Sequence, residues 1–77
     1  MKPAQRLTEA AAAKSFAKAV KDLPASALAS ASGRHLEAAK LWKAGKRCPN
    51  GSSLINMARH FTAVALWLLN QLTAGRN

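Results

Sequence analysis

Gly33-Arg34-His35-Leu36-Glu37-Ala38-Ala39-Lys40-Leu41-Trp42-Lys43-Ala44-Gly45 is the stretch that decides the fold class. It reads as a tight glycine turn followed by a helix. At the helical repeat, Ala38, Leu41, Trp42 and Gly45 share one side. Lys40, Lys43 and Arg47 recur at i, i+3 and i+7 on the other. Small residues inside an apolar stripe suit close approach of a neighbouring helix. The lysine/arginine ridge behind them presents positive charge. Together they predict an all-α binding module rather than an enzyme.

Working outward, Cys48-Pro49-Asn50-Gly51 is a turn, because proline stops the helix and Asn-Gly tolerates positive φ. Ser52 or Ser53 is then expected to cap a last helix from Leu54 to Ala74, ended by Gly75. Leu54, Met57, Phe61, Val64, Leu68, Leu69 and Leu72 give that helix a broad apolar stripe. Asn56, Arg59, His60 and Asn70 mark its wet side. Ile55 and Leu66 lie beyond the stripe, and Trp67 lies at its other flank. So wide an arc either sits between two helices or forms an intermolecular interface.

Upstream, residues 25–32 contain only Ala, Ser and Leu28. They read either as a short helix with Pro24 at its first position or as an Ala/Ser linker. The first helix is expected over Thr8–Leu23, with Thr8 as N-cap and Glu9 in the first turn. Phe16, Val20 and Leu23, with Ala12 and Ala13, take one face, while Lys14, Lys18 and Lys21 take the other. Residues before Thr8 are expected to fray. The expected architecture is one helical domain over residues 1–77, a bundle of three to four helices. Dimerisation through the last helix is one way to extend so small a core.

Residues 28–49 resemble half of a tetratricopeptide-type helical hairpin. Gly33 takes the turn position, Ala38 and Trp42 the packing positions, Gly45 a small-residue position and Pro49 the closing proline. His35 falls where an aromatic side chain packs in that pattern. A closer resemblance, over residues 29–61, is to the AraC-negative-regulator family and its PerC-like relatives. The residues that carry it are Gly33, His35, Ala38-Ala39, Leu41-Trp42 and Ala44, followed by Asn50 in the turn. Where those families continue with Trp-Ala, an Arg and Phe-Cys, this chain has Met57-Ala58-Arg59-His60-Phe61. The resemblance implies a small helical modulator of transcription that binds a DNA-binding regulator or acts at the promoter.

The chain has 77 residues and a net charge of +9, from 12 basic and 3 acidic side chains. The acids are Glu9, Asp22 and Glu37. That balance favours an anionic partner: nucleic acid, an acidic protein face or a membrane surface. The longest uncharged run, residues 61–75, is too short for a bilayer span of about 20 residues. No secretory leader is apparent, and a cytoplasmic bacterial protein is the expectation. The basic, Ala/Ser-rich first 34 residues also have the composition of a transit peptide. Cys48 is the only cysteine, so no internal disulfide forms. Arg47 beside it is expected to lower its pKa somewhat. Two scattered histidines and one cysteine match neither a catalytic set nor a metal-ligand spacing, and no cofactor is expected.

The candidate functional residues are therefore cations and exposed apolar anchors. Lys14, Lys18, Lys21, Arg34, Lys40, Lys43, Lys46 and Arg47 are expected to meet nucleic acid or an acidic partner. Leu36, Trp42, Phe61, Leu66 and Trp67 are expected at a protein interface, with Trp67 the preferred anchor because it lies off the main stripe. For Trp42 core packing is the stronger expectation. The leading expectation is a non-enzymatic transcription regulator that docks on a protein partner. The alternatives are a largely non-specific nucleic-acid-binding protein, a mobile-element-encoded inhibitor of a nucleic-acid-handling complex, and peripheral attachment to a membrane through the last helix.

Overall fold

The computed structural model describes residues 8–74, and its regular elements are all helices. Residues 1–7 and Gly75, for which fraying and a helix stop were expected, lie outside the described residues. Five helices follow one another: α1 (Glu9–Ala19), α2 (Ala25–Ser32), α3 (Leu36–Lys43), α4 (Gly51–His60) and α5 (Thr62–Ala74). The all-α class holds, but with five elements rather than three or four.

Each boundary has a local cause. Thr8 caps α1, its side chain accepting the Ala11 N–H at 3.1 Å. α1 stops at Ala19, four residues earlier than expected, and Lys21–Leu23 form a turn into Pro24. Ala25–Ser32 is helix, not linker, and Pro24 precedes it as N-cap. Gly33 closes α2 at φ 74°, where a Cβ would be strained. Its N–H and that of Arg34 both donate to the Ala29 carbonyl.

α3 is shorter than expected. Ala44 caps it, and Gly45 at φ 74° leaves the helix. The Lys46 N–H donates to the Leu41 carbonyl and the Gly45 N–H to the Trp42 carbonyl, the two bonds of a Schellman stop. Gly45 is thus a terminator and not a helical packing residue, and the ridge from Lys40 to Arg47 is helical only as far as Lys43. Asn50, not Ser52 or Ser53, caps α4, its Oδ1 accepting the Ser53 N–H at 2.9 Å. His35 is the exposed N-cap residue of α3, so the packing role expected for it is not observed.

The largest departure is at Phe61. A single last helix was expected, yet Phe61 is extended at φ −125°, ψ 117°, and separates α4 from α5. No glycine or proline marks the break. Its cause is tertiary. A straight rod over residues 54–74 would be about 30 Å long and would carry Val64 and Trp67 away from the other helices. The single extended residue instead turns α5 back along α1. Phe61 keeps its N–H on the Met57 carbonyl at 2.8 Å, while its own carbonyl accepts from Val64 and Ala65 at 3.1 Å. The break therefore leaves few backbone groups without partners.

The helices pack as α2 against α3 and α4, α4 against α5, and α1 against α3 and α5. Phe16, Val20, Leu28, Ala39, Trp42, Met57, Val64 and Trp67 form one buried cluster, drawing on all five helices. The small side chains of α2 allow two helices to approach it. Leu41, expected in the buried stripe of α3, is 38% exposed, because Ala39 rather than Leu41 faces the core beside Trp42. Leu69 and Leu72, expected in the buried stripe of the last helix, are 55% and 64% exposed. Once the helix breaks at Phe61, only Val64 and Trp67 of α5 are fully enclosed. Among the described residues, no helix is long and apolar enough to cross a membrane.

Candidate functional site

The cations expected to bind divide into two groups. Lys14 and Lys18 are exposed on α1, and Lys21 is exposed in the turn that follows. Lys14 and Lys18, four residues apart on the helix, are about 6 Å apart along its axis. The end of α3 lies against the same helix. A Cβ placed on Gly45 would sit 3.7 Å from both Ala17 Cβ and Lys14 Cα. Those are ordinary van der Waals distances, so the turn carrying exposed Lys46 lies against α1 beside Lys14, and glycine is needed there for its φ of 74°. At the other end of the contact, Lys43 Nζ donates to the Lys21 carbonyl at 3.3 Å and to the Leu23 carbonyl. The fold thus joins two stretches of basic sequence, Lys14–Lys21 and Lys43–Lys46, into one seam.

Lys43 itself is half-buried and committed to the carbonyls at the exit of α1. It complements the negative end of that helix and ties α3 to it. Its expected role as a free phosphate contact is thereby replaced by a structural one. Lys40 stands 3.5 Å from Glu37, the one ion pair among the described residues. Both partners are well exposed, so the pair is weak and leaves Lys40 available.

Arg34 and Arg47 form the second group. Both line a shallow recess of about 130 Å³ together with Ala38, Trp42, Cys48 and Asn50. The αL turn at Gly33 and the turn before Pro49 bring them to this recess from opposite ends of α3. Cys48 on its wall is partly buried, and that burial raises its thiol pKa, with Glu9 contributing in the same direction. The lowering expected from Arg47 is not seen, since burial and Glu9 both push the thiol the other way. Among the described residues, no group of three His, Cys, Asp or Glu side chains comes together to hold a metal.

The expected interface residues separate cleanly. Trp67, read as the exposed anchor, is enclosed at 7% exposure. Its indole Nε1 donates to Ser15 Oγ at 2.8 Å, and its ring meets Phe16 edge-on at 5.1 Å and 80°. Trp42 is also core, and Phe61 is half-buried against the core at the α4–α5 break. Neither tryptophan is available to dock on a partner. Leu36 and Leu66 remain outside, at 43% and 56% exposure, joined by Leu41, Ile55, Leu69 and Leu72.

Neither Ser15 as the indole's partner nor Gly45 as a helix terminator was among the expected features. A serine on a lysine-rich helix gives no sign of a buried indole partner 52 positions away. For Gly45 the signal was present, since glycine after a helical run with lysines is a stop pattern. Comparison with protein families, with curated proteins and with solved structures gives no match for this chain.

Proposed function

We propose that this chain is a non-enzymatic binding protein whose cationic seam along α1 and the end of α3 engages the phosphate backbone of nucleic acid. The observation that supports it most is the seam itself. Lys14, Lys18, Lys21 and Lys46 are exposed, none has an acidic partner among the described residues, and two separate stretches of chain supply them. An unneutralised row of cations on a rigid helix attracts polyanions and releases their counterions. Lysine predominates and no Asn or Gln accompanies it on that seam, so contact is with phosphate rather than base edges.

The test is fluorescence anisotropy of labelled duplex DNA and single-stranded RNA of mixed sequence, titrated across salt. Four phosphate contacts give a slope of log K against log salt of about −3.5 on duplex DNA. Lys14→Glu with Lys18→Glu is expected to weaken every sequence alike and to flatten the slope. Absence of binding to both polymers at low salt refutes the proposal.

A second reading, regulation of transcription through a DNA-binding protein partner, draws on the hairpin of α2 and α3. Leu36 and Leu41 stand exposed on α3 beside Lys40, an apolar and cationic mixture suited to an acidic, partly apolar protein face. The resemblance of residues 29–61 to small transcription modulators points the same way. Salt-tolerant binding to a purified DNA-binding regulator, lost in Leu36→Glu, is the expected result. Binding unaffected by Leu36→Glu refutes this reading.

A further inference from the structure

We infer that α5 is a self-association helix, covered by the α5 of a second copy of this chain running antiparallel to it. The inference is independent of nucleic-acid binding. It starts from spacing. Thr62, Leu66, Leu69 and Thr73 recur at intervals of four, three and four residues, the 3.5-residue repeat of a helix–helix seam, and all four are exposed. The remaining face of α5, Val64 and Trp67, is already occupied by the core. The outward seam therefore has no partner among the described residues.

The order of residues along the seam identifies the occupant. Thr-Leu-Leu-Thr at intervals of four, three and four reads the same in both directions. A twofold axis between Leu66 and Leu69 sets Leu66 against Leu69 of the second copy, and Thr62 against its Thr73. Such self-complementarity is what an isologous contact requires. Antiparallel pairing also opposes the two helix dipoles.

Charge selects the same face. Two copies carrying +9 each repel across most orientations. α5 has no charged residue from Thr62 to Ala74. The other uncharged helix, α2, is packed against α3 and α4. Flanking the seam are Ala63, Ala65, Asn70 and Leu72, which add contact without charge.

Area sets the strength. Leu66, Leu69 and Leu72 are 56%, 55% and 64% exposed. Each offers roughly 100 Å² of apolar surface, so two copies bury roughly 600 Å² from leucines alone. With the flanking residues the contact reaches the low end of the range for specific interfaces, about 1,200 Å². A contact at that end of the range is expected to give a weak, reversible dimer.

Sedimentation equilibrium of the full chain from about 1 to 500 μM tests this. The expected result is a monomer–dimer equilibrium that tightens as salt screens the repulsion. Leu66→Glu and, separately, Leu69→Gln are expected to yield monomer with unchanged circular dichroism and melting temperature, since both side chains are solvent-facing. Register is read by oxidising mixed single-cysteine variants in a Cys48→Ala background. Thr62→Cys is expected to cross-link to Thr73→Cys in preference to itself. A chain that stays monomeric throughout overturns the inference, as does a dimer that survives both leucine substitutions. Preferential Thr62→Cys self-cross-linking overturns the antiparallel arrangement. If a monomeric chain binds phosphatidylcholine vesicles and loses them with Leu66→Glu, the face belongs to a membrane and the inference falls.

Discussion

Trp67 carries the sharpest prediction, because its assignment changes from docking anchor to core. Truncation to alanine removes an enclosed indole, its edge-on contact with Phe16 and its hydrogen bond to Ser15. Removing a buried aromatic side chain costs about 3–5 kcal/mol. The whole stability of a domain this size is about 4–12 kcal/mol. Trp67→Ala is therefore expected to unfold the chain or to lower its melting temperature by about 15–30 °C, at roughly 4–8 °C per kcal/mol. Ser15→Ala separates hydrogen bond from volume. It keeps the ring but leaves a buried indole N–H without an acceptor, at about 1–2 kcal/mol. Trp67→Phe gives up the donor and part of the ring. The double variant Ser15→Ala/Trp67→Phe is expected to be only slightly less stable than Trp67→Phe alone, because the shared bond is lost once, a coupling of about 1 kcal/mol. Urea denaturation followed at 222 nm measures all four variants. Additive Ser15 and Trp67 effects, or a stable Trp67→Ala chain that has only lost binding, would refute the reasoning.

Three further outcomes follow from other parts of the structure. Lys43→Met is expected to lower stability by about 1–2 kcal/mol through loss of the ties to Lys21 and Leu23, and to weaken nucleic-acid binding less than Lys14→Glu with Lys18→Glu, because its ammonium is already committed to carbonyls; thermal melts and anisotropy separate the two. Gly45→Ala places a Cβ at φ 74° with Ala17 in ordinary contact, so backbone strain dominates and the loss is about 1–2 kcal/mol by denaturation. Cys48 should be alkylated by iodoacetamide more slowly than a free thiol at neutral pH, with a pH midpoint above the ordinary value of 9.0. A raised thiol pKa means the folded chain holds its proton longer than the unfolded one. Its contribution is therefore full below pH 9.0 and is lost as pH rises through the folded value, a slope absent from Cys48→Ala.

The helical class was legible because its signals are local: alanine-rich runs, Thr8 before Glu9, Gly33 and Pro24 at boundaries. The buried face of α1 was legible too, since Ala12, Ala13, Phe16 and Val20 keep helical spacing. The break at Phe61 was not. Histidine, phenylalanine and threonine form an ordinary helical run, and only the gain from laying α5 on α1 makes one extended residue worthwhile. The errors on Trp67, Leu69 and Leu72 descend from it, since residues after the break were projected onto a helix that does not continue. Among the cations, position on a face was legible but commitment was not. Lys43 and Lys46 look alike in sequence, yet one is bound to carbonyls and the other stands free of them. That difference depends on where α1 ends.

The bond from Trp67 to Ser15 joins positions 52 apart, whereas α2, α3 and α4 are sequence neighbours. Closing the longer loop loses chain entropy before it returns contacts. On that ground the middle three helices are expected to assemble first, with the first and last docking onto that kernel late. Damage to the closing pair then shows itself as faster opening, with the speed of collapse little altered.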